Sequence, residues 1–133
     1  GIELAVVCLN RNNNNLYFAG AMNPGYLIQN NELIELIPDT MPISLHFKLN
    51  QPFKTKVFQF QSDSSIYLFT DGLIDQFGGR DNKRFKSKKL KKILLDNYNL
   101  PFEKQKSIII NEYNQWKGEN EQIDDVLILG FRP

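Results

Sequence analysis

Short apolar runs broken by asparagine, glycine and proline fill the first two-thirds of the chain. Leu4 to Leu9 is an apolar run that fits a buried strand, and Leu16 to Gly20 resumes as a second. Arg11-Asn12-Asn13-Asn14-Asn15 lies between them, and asparagine tolerates left-handed backbone, so the two strands are expected to pair as a hairpin. Asn23-Pro24-Gly25 marks a further turn. Tyr26 to Gln29 and Glu32 to Leu36 then read as a short hairpin through Asn30-Asn31. Pro38 to Pro52 is irregular, because its prolines deny it a long helix. From Lys54 to Phe60 the polarity alternates: Lys56, Phe58 and Phe60 interleave with Val57, Gln59 and Gln61, a strand with one wet face. Ser62 to Ser65 is a turn, and Ile66 to Thr70 follows, apolar on both faces and so central in a sheet.

A helical period takes over after Ser87, which can cap a helix whose apolar side is Leu90, Ile93 and Leu94. Pro101 suits the first turn of a second helix. Its apolar positions Phe102, Ile109, Tyr113 and Trp116 are spaced seven, four and three apart, giving one face, and Gly118 is a natural stop. Trp116 is read as core. Val126 to Phe131 is a final strand. Strands, then two helices, then a strand returning to the sheet predict an α+β fold.

Composition adds bounds. The 133 residues suit one domain, and 41% hydrophobic with 23% charged residues is ordinary for a soluble globular protein. A net charge of +1 gives no global pull toward nucleic acid or membrane. No apolar run reaches the roughly 18–20 residues that span a bilayer, and no charged leader precedes an apolar stretch. The single cysteine, Cys8, cannot pair within the chain and is expected to be a small buried residue, compatible with a reducing, cytoplasmic setting. The chain opens on Gly1-Ile2-Glu3, already inside a strand-like run, which reads as a piece of a longer protein with sequence missing upstream.

The chemistry concentrates at two acidic points fused to apolar strands. Asp71-Gly72 follows Ile66–Thr70, and Asp124-Asp125 precedes Val126–Phe131. A buried carboxylate needs a partner, and neither run contains Lys or Arg. A hard divalent cation such as Mg²⁺ or Mn²⁺ is one such partner. The plainer alternatives are that Asp-Gly is a common turn dipeptide and that Asp-Asp is a solvated turn. Asp75 lies four residues after Asp71, so a helical turn there would put both acids on one face. Antiparallel neighbours would place the end of the first strand beside the start of the second, so that Asp71 and Asp124 could share a cation. Side chains alternate along a strand, so Asp125 would then point away.

Arg80, Lys83, Arg84, Lys86, Lys88, Lys89, Lys91 and Lys92 form a basic stretch that reads as a solvated face, or else as an attraction for a phosphorylated protein or acidic partner. Aromatics do not interleave with it regularly, which does not favour nucleic acid. His46, the one histidine, reads as a loop or strand residue rather than a ligand.

The ordered set of motifs resembles the metal-dependent PP2C-type serine/threonine phosphatases, in their bacterial SpoIIE-like branch. Thr70-Asp71-Gly72 after an apolar strand and Asp124-Asp125-Val126-Leu127-Ile128-Leu129 near the terminus carry the likeness. Phe18-Ala19-Gly20-Ala21-Met22-Asn23-Pro24-Gly25-Tyr26-Leu27-Ile28 resembles that family's alanine-glycine-x-x-x-proline hairpin, and Met41-Pro42-Ile43-Ser44 its proline-isoleucine-glycine segment. Asp75-Gln76-Phe77-Gly78-Gly79, with Lys83-Arg84-Phe85 after it, is similar to a variant in phosphatases fused to sensor or repeat modules. The resemblance implies an antiparallel β-sandwich with flanking helices. It implies that Asp71 and Asp124 are metal-binding aspartates, that Asp75 has an outer-sphere or water-binding role, and that Gly72 and Asp125 shape the backbone.

Two departures accompany the likeness. Ser44 stands where the family usually has glycine, in a segment linked there to positioning of a switch element. The family's upstream aspartate with its glycine-rich turn, which bridges the two cations, is absent, and the chain begins after it. Residues 1–133 are therefore expected to be a single partial phosphatase domain, with its N-terminal part missing and little or no activity alone. The parent would hydrolyse phosphoserine or phosphothreonine of a protein partner with a binuclear Mg²⁺ or Mn²⁺ centre, with no phosphoenzyme and under an upstream sensor or regulatory domain. The rivals are a non-catalytic binding or sensing module of the same fold, and self-association through an exposed sheet edge.

Overall fold

In a computed structural model of the chain, residues 1–44 and 51–133 are described, so His46 and the middle of the Pro38–Pro52 stretch lie outside the described residues. The elements run β1 (Leu4–Asn10), β2 (Asn15–Ala21), β3 (Gly25–Gln29), β4 (Glu32–Leu36), β5 (Lys56–Gln59), β6 (Ser65–Phe69), β7 (Phe77–Gly78), β8 (Lys83–Arg84), α1 (Ser87–Asn97), α2 (Phe102–Lys117) and β9 (Ile128–Phe131). They form two compact units, Gly1–Phe69 with Gly130–Pro133, and Thr70–Leu129.

The first unit is an antiparallel sandwich. Its asparagine turns work as the sequence predicts: Asn14 sits at φ 57°, and Asn30 and Asn31 at 51° and 58°, the left-handed pair that a two-residue hairpin requires. β1 pairs with β2 from Leu4↔Ala21 to Asn10↔Asn15, and β2 pairs with β5. β3 lies between β4 and β6 in the second sheet, with the Gly130–Phe131 end of β9 beyond β6. Leu16, Phe18 and Phe60 from one side meet Leu27, Leu36 and Ile66 from the other in a single core. Ala5, Val7, Leu9, Ile34, Phe58 and Phe131 pack around it. β6 is central, with Ile66 and Tyr67 buried on opposite faces.

Two sequence expectations change here. Cys8 is exposed, not buried, because β1 alternates: Ala5, Val7 and Leu9 face the core, while Leu4, Val6 and Cys8 face outward. The final strand is shorter than Val126–Phe131 and is not buried throughout, since Leu127 and Leu129 are 62% and 53% exposed. A continuous apolar run thus hides strands with one open face.

The second unit holds both helices. α1 buries Leu90, Ile93 and Leu94, as its spacing predicts. Ser87 does not cap it: the cap position is Lys86, at φ 72° and without a side-chain bond, and Ser87 already lies inside the helix. α2 follows Pro101 and ends at Gly118, burying Gln105 and Tyr113. Gln105 donates from Nε2 to Tyr98 O at 3.1 Å and Leu100 O at 2.8 Å, tying α2 to the preceding loop. The β7–β8 hairpin has no counterpart in the apolar pattern. Among the described residues, no helix is long and apolar enough to cross a membrane.

Candidate functional site

The acidic points are set by the backbone on either side of them, all within the second unit. Thr70 anchors the first. Its N–H donates to Leu127 O at 3.0 Å, and its hydroxyl both donates to Asp125 O at 2.8 Å and accepts from Leu127 N at 2.9 Å. One threonine therefore makes three bonds to the stretch that follows Asp124. A β-branched, apolar-compatible side chain with a two-way hydroxyl is what this junction needs.

Residues 71–75 then form the single helical turn that places Asp75 one turn after Asp71. Asp75 N donates to Asp71 O at 2.9 Å, and Gln76 N to Leu73 O at 3.2 Å. Gly72 is buried in this turn. A Cβ at Gly72 would lie 2.3 Å from Asp125 O and 3.3 Å from the carbonyl carbon of Asp124. The backbones of the two acidic points are thus in direct contact, and only glycine permits the approach.

Asp71 and Asp75 are half-buried, whereas Asp124 and Asp125 are exposed. Burial therefore presses for a partner at Asp71 but not at Asp124 or Asp125. Asp124 Oδ1 accepts from Asp125 N at 2.7 Å, and Asp124 O accepts from Gln122 Nε2 at 2.9 Å, so the Asp-Asp pair sits in a locally bonded turn.

Sequence reasoning missed two residues that build this corner. Thr70 reads simply as the end of a strand. Gln76 reads as polar loop, yet it is fully buried and bonded to α2 and to the stretch before Asp124. Trp116 is half-buried and works as a clamp rather than as deep core. Its Nε1 donates to Gln76 O at 3.1 Å and Lys83 O at 3.2 Å, and its own carbonyl accepts from Gly79 N at 2.8 Å. Nothing in the 3.6-residue period reports such partners. The pair of glycines before a basic hairpin was the one available signal, since a Cβ at Gly78 would lie 1.7 Å from Trp116 O.

The donor chemistry fits a hard divalent cation in type, because Asp71 and Asp124 offer carboxylate oxygen. In number it fits only part of a shell. Among the described residues no group of three or more His, Cys, Asp or Glu is gathered closely enough to hold a metal ion.

Comparison with known proteins gives the context. The SiaA-PP2C domain of Pseudomonas aeruginosa matches 96% of this chain at 27% identity with a TM-score of 0.86, and the match covers 50% of that domain. The manganese-presoaked phosphatase domain of the cell fate determinant SpoIIE from Bacillus subtilis matches 98% at 13% identity and TM-score 0.70, over 55% of its length. A longer Bacillus subtilis SpoIIE structure, the PP2C domain with a fragment of its regulatory domain, matches 96% at 10% identity and TM-score 0.74, over 36% of its length. The last two likenesses show a shared fold. The chain spans about half or less of the solved structures it matches. A search of curated proteins finds no match. Residues 2–133 match the profile of stage II sporulation protein E (SpoIIE), and the chain belongs to this family of PP2C-type bacterial phosphatase domains.

Proposed function

We propose that the chain forms part of a metal-dependent phosphatase domain that removes phosphate from phosphoserine or phosphothreonine of a protein partner in a bacterial, cytoplasmic signalling pathway. The observation that carries this reading is the seating of Gly72 against Asp124-Asp125, which draws the two acidic points into one corner. Asp71 and Asp124 hold metal through their carboxylates. Asp75 lies a turn away to orient water, and Gly72 and Asp125 fix the backbone. Bound Mg²⁺ or Mn²⁺ would supply water activation and neutralise charge on the phosphoryl group. Two carboxylates do not by themselves fix a pair of cations, so these 133 residues have little or no activity alone. An upstream sensor or regulatory domain is proposed for the parent chain, in line with the regulatory fragment carried by one structural relative.

Hydrolysis of a small aryl phosphate with Mn²⁺ tests the reading. The 133-residue chain should give background turnover. Robust turnover abolished by Asp71→Ala would overturn the claim of inactivity.

The second reading is a non-catalytic binding or sensing module of the same fold. An aspartate-glycine motif upstream in the full gene supports the enzyme, and its replacement supports the module. Self-association through an edge strand, β1, β5, β4 or β9, is tested by light scattering, where a clean monomer counts against it.

A further inference from the structure

The stretch from Gly118 to Leu127, which carries Asp124, has neither helix nor strand. Its position relative to Asp71 depends on the bonds it makes. One set belongs to Thr70, downstream of Asp124. The other set centres on Gln76, upstream.

Gln76 is 0% exposed, which is unusual for an uncharged amide unless all its groups are bonded. They are. Nε2 donates to Glu121 O at 2.8 Å and Phe77 O at 3.1 Å, and Oε1 accepts from Tyr113 OH at 3.1 Å. The backbone carbonyl accepts from Phe85 N at 2.9 Å and Trp116 Nε1 at 3.1 Å. Gln76 therefore joins three segments: the turn that begins at Asp71, helix α2, and the irregular stretch three residues before Asp124. Asn120 reinforces the same seam, donating from Nδ2 to Phe77 O at 3.3 Å and Asn82 Oδ1 at 3.2 Å. An apolar residue would fill the same space, but would leave the Glu121 carbonyl and the Tyr113 hydroxyl without these partners.

We propose that Gln76 is a positioning residue that sets Asp124 against Asp71 by tying the stretch before Asp124 to the turn after Asp71. The inference rests on the phosphatase reading for the role of the two carboxylates, but the placement it describes is independent of metal.

The test uses Gln76→Met, which keeps the volume and removes both polar atoms. Amide hydrogen exchange is followed by NMR at a temperature where circular dichroism shows the variant folded. Exchange at the Asp125 and Leu127 amides should rise about tenfold or more, with α1 amides within about twofold of the parent chain. Unchanged exchange at Asp125 and Leu127, or an equal rise along α1, overturns the proposal, because either result describes a residue that only supports global stability. The second readout is Mn²⁺ affinity, from the free-ion electron paramagnetic resonance signal, expected to weaken about tenfold in the variant. A local rise in exchange with undiminished Mn²⁺ affinity also overturns the positioning role. An unsubstituted 133-residue chain that binds no Mn²⁺ overturns the cation shared by Asp71 and Asp124 instead, and leaves Gln76 to be judged by exchange. If Gln76→Met does not fold, Tyr113→Phe removes only the bond to Oε1, and a smaller change of the same sign is expected; none at Asp125 and Leu127 overturns the proposal.

Discussion

Thr70 and Asp125 are joined by a hydrogen bond from the threonine hydroxyl to the aspartate carbonyl, 2.8 Å long, across 55 residues of sequence. The threonine Oγ1 also accepts from Leu127 N at 2.9 Å. Thr70→Val keeps the shape and deletes both bonds. The bonds are exposed, so each is worth the ordinary net of about 0.5–1.5 kcal/mol and the loss is about 1–3 kcal/mol for the two. Urea denaturation measures it through a lower midpoint at unchanged slope.

Gly72→Ala tests the contact between the two acidic turns. The backbone of Gly72 does not lie in the left-handed region, so the cost is steric alone. The new methyl carbon would meet Asp125 O at 2.3 Å, and the neighbour is backbone rather than a flexible side chain. A fall of about 1–3 kcal/mol in stability is expected, as for other overpacked sites. A thermal melt within a degree of the parent would contradict the close approach.

Alkaline pH weakens the first unit through Tyr26. This side chain is 1% exposed, its ring lies 4.8 Å from that of Phe69, and burial, then the nearby Glu35 carboxylate, push its phenol well above the ordinary tyrosine value. Below about pH 10 both folded and unfolded chains keep the proton, so stability does not change with pH through this group. Above it the unfolded chain ionises first and the folded chain does not, so stability falls as pH rises. The slope from this one group reaches about 1.4 kcal/mol per pH unit. Tyr26→Phe should flatten the alkaline limb of a stability–pH curve while leaving neutral pH less affected. Burial of Tyr113 acts in the same direction in the second unit.

The legibility of these features in the sequence follows their range along the chain. Hairpins turned by Asn14 and by Asn30-Asn31 are local, and their sites could be read from residue type. The central strand β6, with Asp71 beyond its end, was readable because a strand buried on both faces leaves no polar position until Thr70. Cys8 is exposed against expectation, since an outward position carrying an apolar residue looks the same as an inward one. Ser87 lies inside α1 rather than capping it, because the chain enters the helix through Lys86 at φ 72°, which residue type alone does not signal. The β7–β8 hairpin was invisible: its strands have two residues each, and Gly79 bonds to Trp116, far along the chain. Gln76 escaped for the same reason, its partners Tyr113, Trp116 and Glu121 lying 37 to 45 residues away. Long-range polar bonds have no period to betray them.

The most direct test of the central claim, that Asp71 and Asp124 share a divalent cation, is a Mn²⁺ titration of the chain and of Asp71→Asn, Asp124→Asn and the double variant, read from the free-ion electron paramagnetic resonance signal. Two ligands of one ion act as a unit, so each single change should weaken binding by about tenfold or more and the double change should add little. Affinity unchanged in either single variant, or losses that simply add, would contradict a shared site.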